Sequence, residues 1–252
     1  MKTLARRWVL DLGNSRLKCA LLDAQGHRGE ILAIGHEQDD ALPTLLRHIG
    51  PVDGHDEAWL ASVAPAQQTA ALVAALEAAG VRVHRVHTLA ELGRLRIAYA
   101  EPARLGVDRF LALLAASERS DGPWLLVSAG SALTIDVLDN EGRHLGGSIA
   151  PMPQHMREAL AARFPQLDLA PGTASDFASD TADAIASGCE GAILGLVERS
   201  LHLAEQCLGM RPTLLVGGGG AALLASIDHW PREDLPALVI DGLASYVRGQ
   251  AA

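Results

Sequence analysis

The sequence predicts an α/β fold made of two similar domains, because each half of the chain opens with the same succession of elements. In the first half, apolar runs at Trp8–Leu12 and Leu17–Leu22 flank a turn of small polar residues, which predicts a β-hairpin. In the second half, apolar runs at Trp124–Val127 and Ala132–Leu138 flank another short turn of small residues. Strands and helices follow both hairpins, so the two halves share a topology.

No strict sequence period relates the halves, so the repeat lies in the order of elements and not in the residues. Ser, Asp and Gly interrupt the pattern at Ser117–Gly122, where we place the domain boundary. We therefore expect an N-terminal domain of residues 1–117 and a C-terminal domain of residues 118–252, with a cleft between them.

Hydrophobic periodicity predicts the remaining elements. In the first domain these are strands at about Ile31–Gly35, Ala58–Val63 and Val81–Val86, and helices at Ala66–Ala79 and Gly106–Glu118. In the second domain they are a strand at His144–Ile149, helices at Gln154–Arg163 and Thr181–Leu208, a strand at Leu214–Val216, and a last strand–helix pair within Ala237–Arg248.

The composition excludes several classes of protein. Of the 252 residues, 49% are hydrophobic and 20% are charged, as in ordinary globular proteins. The formal charge of −9 argues against a nucleic-acid surface, which needs clustered Lys and Arg. No apolar run approaches the roughly 20 residues that span a bilayer, and the three cysteines follow no metal or disulfide pattern. We expect a cytoplasmic protein with no nucleic-acid or membrane partner.

The first candidate site is Asp11-Leu-Gly-Asn-Ser, followed by Lys18. A strand carries the Asp11 carboxylate to its end, and the turn exposes backbone N–H groups that can bind phosphate. Gly13 allows a positive φ or a close approach of phosphate. A carboxylate beside such a turn is what a magnesium-bound nucleotide needs. The alternative is an ordinary hairpin turn with a solvated Asp.

The second candidate is Ser128-Ala-Gly-Ser-Ala-Leu-Thr-Ile-Asp136, again a strand, a turn and a strand. Hydroxyls of Ser128, Ser131 and Thr134, with Gly130 between them, could bond phosphate oxygens. This turn too could be an ordinary hairpin, but two such turns opening two similar halves are harder to dismiss. If they faced each other, they could bind the β- and γ-phosphates from both sides.

The third candidate is Gly106-Val-Asp-Arg at the start of a predicted helix. Asp108 could simply complement the helix dipole, and Arg109 could form a surface ion pair. In the functional alternative, Asp108 accepts the proton of an attacking hydroxyl and Arg109 binds an anion. Phosphoryl transfer depends mainly on positioning and charge neutralisation, so one carboxylate suffices.

The fourth candidate is the run of four glycines at Gly217–Gly220, which follows a strand. Such a run costs backbone entropy, so it needs a reason: close packing against a nucleotide, or a flexible connection. The chain contains neither a GxGxxG fingerprint nor a GxxxxGK[ST] P-loop, which argues against Rossmann and P-loop folds.

Taken together and in this order, three of these motifs resemble the type III pantothenate kinases, also called the Bvg accessory factor family. They are Asp11-Leu-Gly-Asn-Ser, Gly106-Val-Asp-Arg and Gly130-Ser-Ala-Leu-Thr-Ile-Asp. The similarity runs nearly end to end, and Tyr99 and the segment beginning Thr181-Ala-Asp-Ala add to it.

The resemblance implies two ribonuclease-H-like domains of the acetate kinase, sugar kinase, Hsp70 and actin superfamily around an ATP cleft. It implies ATP-dependent phosphorylation of pantothenate, the first step of coenzyme A synthesis. It also implies a homodimer that requires Mg²⁺ and a monovalent cation, K⁺ or NH₄⁺.

The resemblance also implies roles for individual residues. The ATP phosphates would contact Ser131 and the segment Asp11, Leu12, Gly13, Asn14, Ser15, Arg16, Leu17 and Lys18. Pantothenate would contact Tyr99, Gly106, Val107, Asp108, Arg109 and Thr181. Asp108 would be the base that activates the substrate hydroxyl, and Asp11 would organise Mg²⁺ through the phosphates.

One position departs from the family pattern. The second phosphate turn of the family usually reads Asp-x-Gly-Thr, whereas this chain has Ser128-Ala-Gly-Ser131. Ser131 keeps the hydroxyl, but Ser128 lacks the carboxylate that holds the monovalent cation in the family, so cation binding should weaken. This departure leaves open a non-catalytic accessory or regulatory relative. A kinase of the same superfamily with another small substrate also stays open, because the phosphate motifs do not exclude it.

Overall fold

The computed structural model describes residues 5–36, 41–119, 122–167 and 170–251. By its internal contacts the chain divides into two units. Unit 1 comprises Met1–Ser120, Glu141–Arg143 and Ala237–Ala252, and unit 2 comprises Asp121–Asn140 and His144–Pro236. Residues 120 and 121, within the predicted boundary, lie outside the described residues.

Unit 1 contains a five-stranded sheet with the strand order β3-β2-β1-β4-β5. The strands are β1 (Arg7–Leu12), β2 (Arg16–Leu22), β3 (Arg28–Gly35), β4 (Glu57–Ser62) and β5 (Arg82–Arg85). The first three are antiparallel neighbours, whereas β4 and β5 run parallel to β1. Helices α1 (Ala41–Ile49), α2 (Ala66–Ala78) and α3 (Val107–Ser117) and a small hairpin, β6 (Glu91–Leu92) and β7 (Leu95–Arg96), complete the order before unit 2.

The central strand β1 is buried on both faces because helices cover both sides of the sheet. Its alternate residues pack in one core cluster with helices α1 and α2, through Trp8, Leu10, Leu12, Leu45, Ile49, Leu72 and Leu76. Val9, which points to the other face, is fully buried as well. A strand covered on both faces reads as a continuous apolar run, which is how the sequence revealed it.

Unit 2 repeats this arrangement with the strand order β10-β9-β8-β11-β12. Its elements are β8 (Trp124–Ala129), β9 (Ala132–Leu138), β10 (His144–Pro151), α4 (Pro153–Arg163), α5 (Thr181–Leu208), β11 (Thr213–Gly217) and β12 (Arg232–Asp234). Helix α5 packs on the sheet through Ile193, Val197 and Leu201. The same mixed sheet in both units confirms the topological repeat that the sequence predicts.

The last helix, α6 (Leu238–Ala251), packs on α3 and therefore belongs to unit 1. Gly242 permits the contact, since a Cβ there would overlap the backbone of Leu111. Arg248 donates to Glu118 at 2.7 Å. The sequence division into 1–117 and 118–252 assigns this helix to the second domain, because long-range packing of this kind leaves no local signal.

One element assignment from the sequence was wrong. The last strand is Arg232–Asp234, and the segment from Ala237 begins the helix region instead of a strand–helix pair. Its apolar residues Ala237, Leu238 and Ile240 are buried, and a short apolar run fits a strand or a buried helix equally. Helix α1 and the β6–β7 hairpin were not predicted. Across the part of the chain that the structure describes, no helix has the length and hydrophobicity to cross a membrane.

Candidate active site

The first phosphate turn joins β1 to β2 at the end of the central strand of unit 1. Leu12 and Leu17 form the last pair of the hairpin, and the Gly13 N–H donates to the Arg16 carbonyl at 3.0 Å. Asn14, Ser15 and Arg16 are exposed at the tip. Gly13 does not take a positive φ. Its backbone N–H closes the turn and, because it is already bonded, is not available for a phosphate.

Asp11 lies directly opposite Lys18 in the hairpin. Burial raises the pKa of the Asp11 carboxyl to about 6, the positive charge of Lys18 opposes the rise, and the negative charge of Asp108 adds to it. The fold therefore places Asp108 close enough to Asp11 for their charges to interact, although the two residues are far apart in sequence. A buried carboxylate with like charge beside it favours binding of a cation or a proton.

Asp108 lies in the first turn of α3, and its Oδ1 accepts the N–H of Arg109 at 2.9 Å. Gly106 precedes the helix with φ −54°, which any residue can adopt. The glycine is needed for space instead, because a Cβ at Gly106 would lie 2.6 Å from Oδ1 of Asp108. The carboxylate thus occupies the volume that a side chain at Gly106 would take.

Arg109 follows Asp108 but points into the protein, with only 6% of its surface exposed. Its guanidinium donates to the hydroxyl of Tyr99 at 3.3 Å and lies 5.9 Å from the centre of the Tyr99 ring. A surface ion pair is therefore not its role. A buried guanidinium that contacts an aromatic ring is suited to binding a planar anion such as a carboxylate.

The second phosphate turn joins β8 to β9 in unit 2 and closes in the same way as the first. The Gly130 N–H donates to the Ala132 carbonyl at 3.1 Å. Ser128 pairs with Thr134 on one side and with Gly217 on the other, and Ser131 lies half-buried in the turn. The side chain at position 128 is thus a neutral hydroxyl on a central strand.

The glycine run contacts the second phosphate turn. Gly218 has φ 87°, and a Cβ on it would overlap the backbone of Ala129. The Gly220 N–H donates to the Ala129 carbonyl at 2.9 Å. Close backbone packing therefore explains Gly218 and Gly220 within the protein, which neither sequence interpretation of the run had considered.

Asp136 forms a hydrogen bond in the interior of unit 2. It lies further along β9, is buried, and accepts a hydrogen bond from Nε2 of His144 at 3.0 Å. The pair satisfies both side chains in the interior of unit 2.

Thr181 is exposed at the start of α5, next to the N-cap residue Asp180. It lines an open pocket of about 540 Å³ between α4 and α5. The walls are largely apolar and include Leu160, Ile185 and Cys189. This pocket belongs to unit 2, whereas Tyr99 and the Gly106–Arg109 segment belong to unit 1.

Comparisons with known proteins decide the family. A sequence model of the type III pantothenate kinases matches residues 8–202. A type III pantothenate kinase from Stenotrophomonas maltophilia (strain K279a) is 47% identical over 247 residues, covering 97% of this chain and 98% of the relative. One from Xanthomonas campestris pv. campestris (strain B100) is 46% identical over 245 residues, with 97% and 98% coverage. The chain belongs to the type III pantothenate kinase family.

Solved structures agree on the fold of this type III pantothenate kinase family member. A Baf family protein from Campylobacter jejuni has a TM-score of 0.60 at 18% identity, covering 97% of this chain and 98% of that one. An inorganic polyphosphate/ATP-glucomannokinase from Arthrobacter sp. strain KM has a TM-score of 0.51 at 14% identity, with 98% and 100% coverage. The chain thus shares its α/β fold with a sugar kinase, as predicted. The comparisons do not favour the accessory alternative.

Sequence reasoning missed one residue beside the first phosphate turn of this family member. His36 follows β3, and its Nε2 lies 2.8 Å from the Gly13 carbonyl. Its backbone N–H donates to the Ser15 carbonyl at 3.0 Å. Ten scattered histidines offered no pattern that would single it out.

Proposed function

We propose that this chain transfers the γ-phosphoryl group of ATP to the primary hydroxyl of pantothenate, the first step of coenzyme A synthesis. The observation that carries the proposal is the Asp108 carboxylate, held over Gly106 and electrostatically coupled to Asp11 in a member of this family. A base for the acceptor and a carboxylate for the metal nucleotide are the two acidic groups that such a transfer needs.

On the acceptor side, Asp108 accepts the proton of the pantothenate hydroxyl as the oxygen attacks phosphorus. Arg109 binds the substrate carboxylate, since its buried guanidinium is a fixed positive charge, and Tyr99 contacts both Arg109 and the substrate. We assign Gly106 and Val107 to the same contact surface and Thr181 to a further substrate contact.

On the donor side, the turn from Leu12 to Lys18 binds the phosphates. The Gly13 N–H closes the turn and cannot bind phosphate. We therefore assign phosphate binding to the exposed residues Asn14, Ser15 and Arg16 and to the Lys18 amine. Ser131 in the second turn supplies a further hydroxyl.

The residues of unit 1 fit Mg²⁺ bound mainly through the phosphates. Among the described residues, no group of three or more His, Cys, Asp or Glu side chains could enclose a metal ion. Asp11 is a single carboxylate whose raised pKa would be lowered by a nearby cation. Bound Mg²⁺ would neutralise part of the triphosphate charge, and Asp11 would orient it.

The monovalent cation and the oligomer are further parts of the proposal. Ser128 can offer one neutral oxygen to K⁺ or NH₄⁺, so we expect weak cation binding and a weak dependence of activity on these ions. We also propose a homodimer, as in the family resemblance, which analytical ultracentrifugation of the purified chain would test.

The function is tested by incubating the purified chain with Mg·ATP and pantothenate and identifying 4′-phosphopantothenate by mass spectrometry. A panel of small sugars serves as alternative acceptors, because the phosphate-binding motifs are shared with other kinases of the superfamily. We expect phosphorylation of pantothenate and none of the sugars. Transfer to a sugar in preference to pantothenate would contradict the assigned substrate. If no acceptor were phosphorylated, the proposed kinase activity would be contradicted.

A further inference from the structure

We propose that His36 is a positioning residue for the nucleotide triphosphate, acting by fixing the carbonyl groups of the first phosphate turn. The inference rests on the proposed function in assigning that turn to ATP. It adds a residue that directly follows a third strand, β3, which carries none of the sequence motifs.

His36 can reach the turn because of the strand register. β3 is antiparallel to β2 and pairs Gly35 with Arg16, so the next residue along β3 lies beside the tip of the hairpin. The backbone N–H of His36 donates to the Ser15 carbonyl at 3.0 Å, and its Nε2 lies 2.8 Å from the Gly13 carbonyl. A carbonyl oxygen can only accept, so Nε2 carries the proton and donates.

Three carbonyl groups of the turn are thereby bonded within the protein. Those of Gly13 and Ser15 accept from His36, and that of Arg16 accepts from the Gly13 N–H. A carbonyl oxygen carries partial negative charge and would repel a triphosphate if it faced the nucleotide. By holding two of the three oxygens, His36 keeps the turn in the conformation that presents its donors to the phosphates.

The role predicts a specific pattern of losses. His36→Leu removes the donor, whereas His36→Gln keeps an amide N–H the same number of bonds from the backbone. We expect His36→Leu to raise the KM for ATP and the Kd for a non-hydrolysable Mg·ATP analogue about tenfold, because one hydrogen bond is lost. His36→Gln should stay within about twofold of the parent chain, and the KM for pantothenate should change little in either variant.

His27→Leu is a matched control, because His27 is exposed and its ring lies beside Asp23 instead of the phosphate turn. It should leave nucleotide binding unchanged. If His36→Leu and His36→Gln weakened binding of the Mg·ATP analogue equally, the proposal would be overturned. Unchanged analogue binding in a folded His36→Leu would overturn it as well. If His36→Leu does not fold, His36→Asn, whose amide is one bond too short, replaces it and should show the same weakening.

Analogue binding also separates this inference from the proposed function. If the parent chain binds the Mg·ATP analogue but phosphorylates no pantothenate, the assigned reaction fails and the His36 comparison still decides the inference. If the parent chain binds no Mg·nucleotide, both are overturned.

Discussion

Gly106 and Asp108 compete for the same volume: a Cβ on Gly106 would lie 2.6 Å from Oδ1 of Asp108. Gly106→Ala should therefore displace the carboxylate without straining the backbone, since φ is −54°. We expect kcat to fall by at least about tenfold while the Kd for nucleotide and the melting temperature stay nearly constant. Steady-state kinetics and calorimetry check this.

A double-mutant cycle shows whether the loss in Gly106→Ala passes through Asp108. In an Asp108→Asn background, where the base is already absent, Gly106→Ala should cost little further activity. Fully additive losses would mean that the glycine acts by another route.

The raised pKa of Asp11 predicts a pH-dependent cost to folding. The carboxyl has a pKa of about 6 in the folded chain against 3.8 unfolded, so above pH 6 it is ionised in a buried site at a cost of at most about 3 kcal/mol. Asp11→Asn should raise the free energy of unfolding at pH 8, and the gain should shrink as the pH falls from 6 toward 4. Urea unfolding at pH 4.5, 6 and 8 measures it.

Asp228→Asn is the control for this experiment, because Asp228 has 87% of its side chain exposed. It should change the free energy of unfolding equally little at each pH. A gain in Asp11→Asn that is the same at pH 4.5 and pH 8 would rule out the ionised carboxylate as its cause.

Ser128→Asp should restore strong binding of a monovalent cation. A full negative charge on β8 attracts K⁺ more than a hydroxyl does, so the K⁺ concentration for half-maximal activity should fall about tenfold. Ser128→Asn has a similar shape without the charge and should behave like the parent chain. Activity measured in K⁺, NH₄⁺ and Na⁺ tests this, and a parent chain as dependent on K⁺ as Ser128→Asp would contradict it.

Gly218→Ala should destabilise unit 2 by more than the backbone conformation alone explains. Gly218 has φ 87°, and a Cβ there would also overlap the Ala129 backbone. Gly209→Ala is the matched control, since Gly209 has φ 68° with nothing within 4 Å of a Cβ, and should cost about 1–2 kcal/mol. Equal losses of unfolding free energy in the two variants would exclude the contact with Ala129.

Much of the fold was predictable because local signals mark the ends of elements. Helix α5 spans Thr181–Leu208, as predicted, because Asp180 caps its first turn by accepting the Asp183 N–H and Gly209 ends it in a left-handed conformation. Both hairpins were predictable from apolar runs around short polar turns. The assignment of α6 to unit 1 was not predictable from the sequence. It depends on the contact of Gly242 with Leu111, which no local pattern encodes.

The candidate site was predictable in its motifs but not in its supporting contacts. The sequence indicated Asp11, Asp108 and Arg109, yet it could not show that Arg109 is buried against Tyr99. The contact of His36 with Gly13 depends on the register of β3 against β2. A hydrophobic pattern indicates which face of the sheet a side chain occupies, but it does not identify the residue opposite it on the next strand.

The turnover of Asp108→Asn is the decisive measurement, because the proposed reaction depends on this one carboxylate as its base. We expect kcat for pantothenate phosphorylation to fall by about 10²–10⁴-fold, the usual contribution of a general base, with folding and Mg·nucleotide binding unchanged. An Asp108→Asn variant that folds, binds nucleotide and phosphorylates pantothenate at nearly the parental rate would show that Asp108 is not the base.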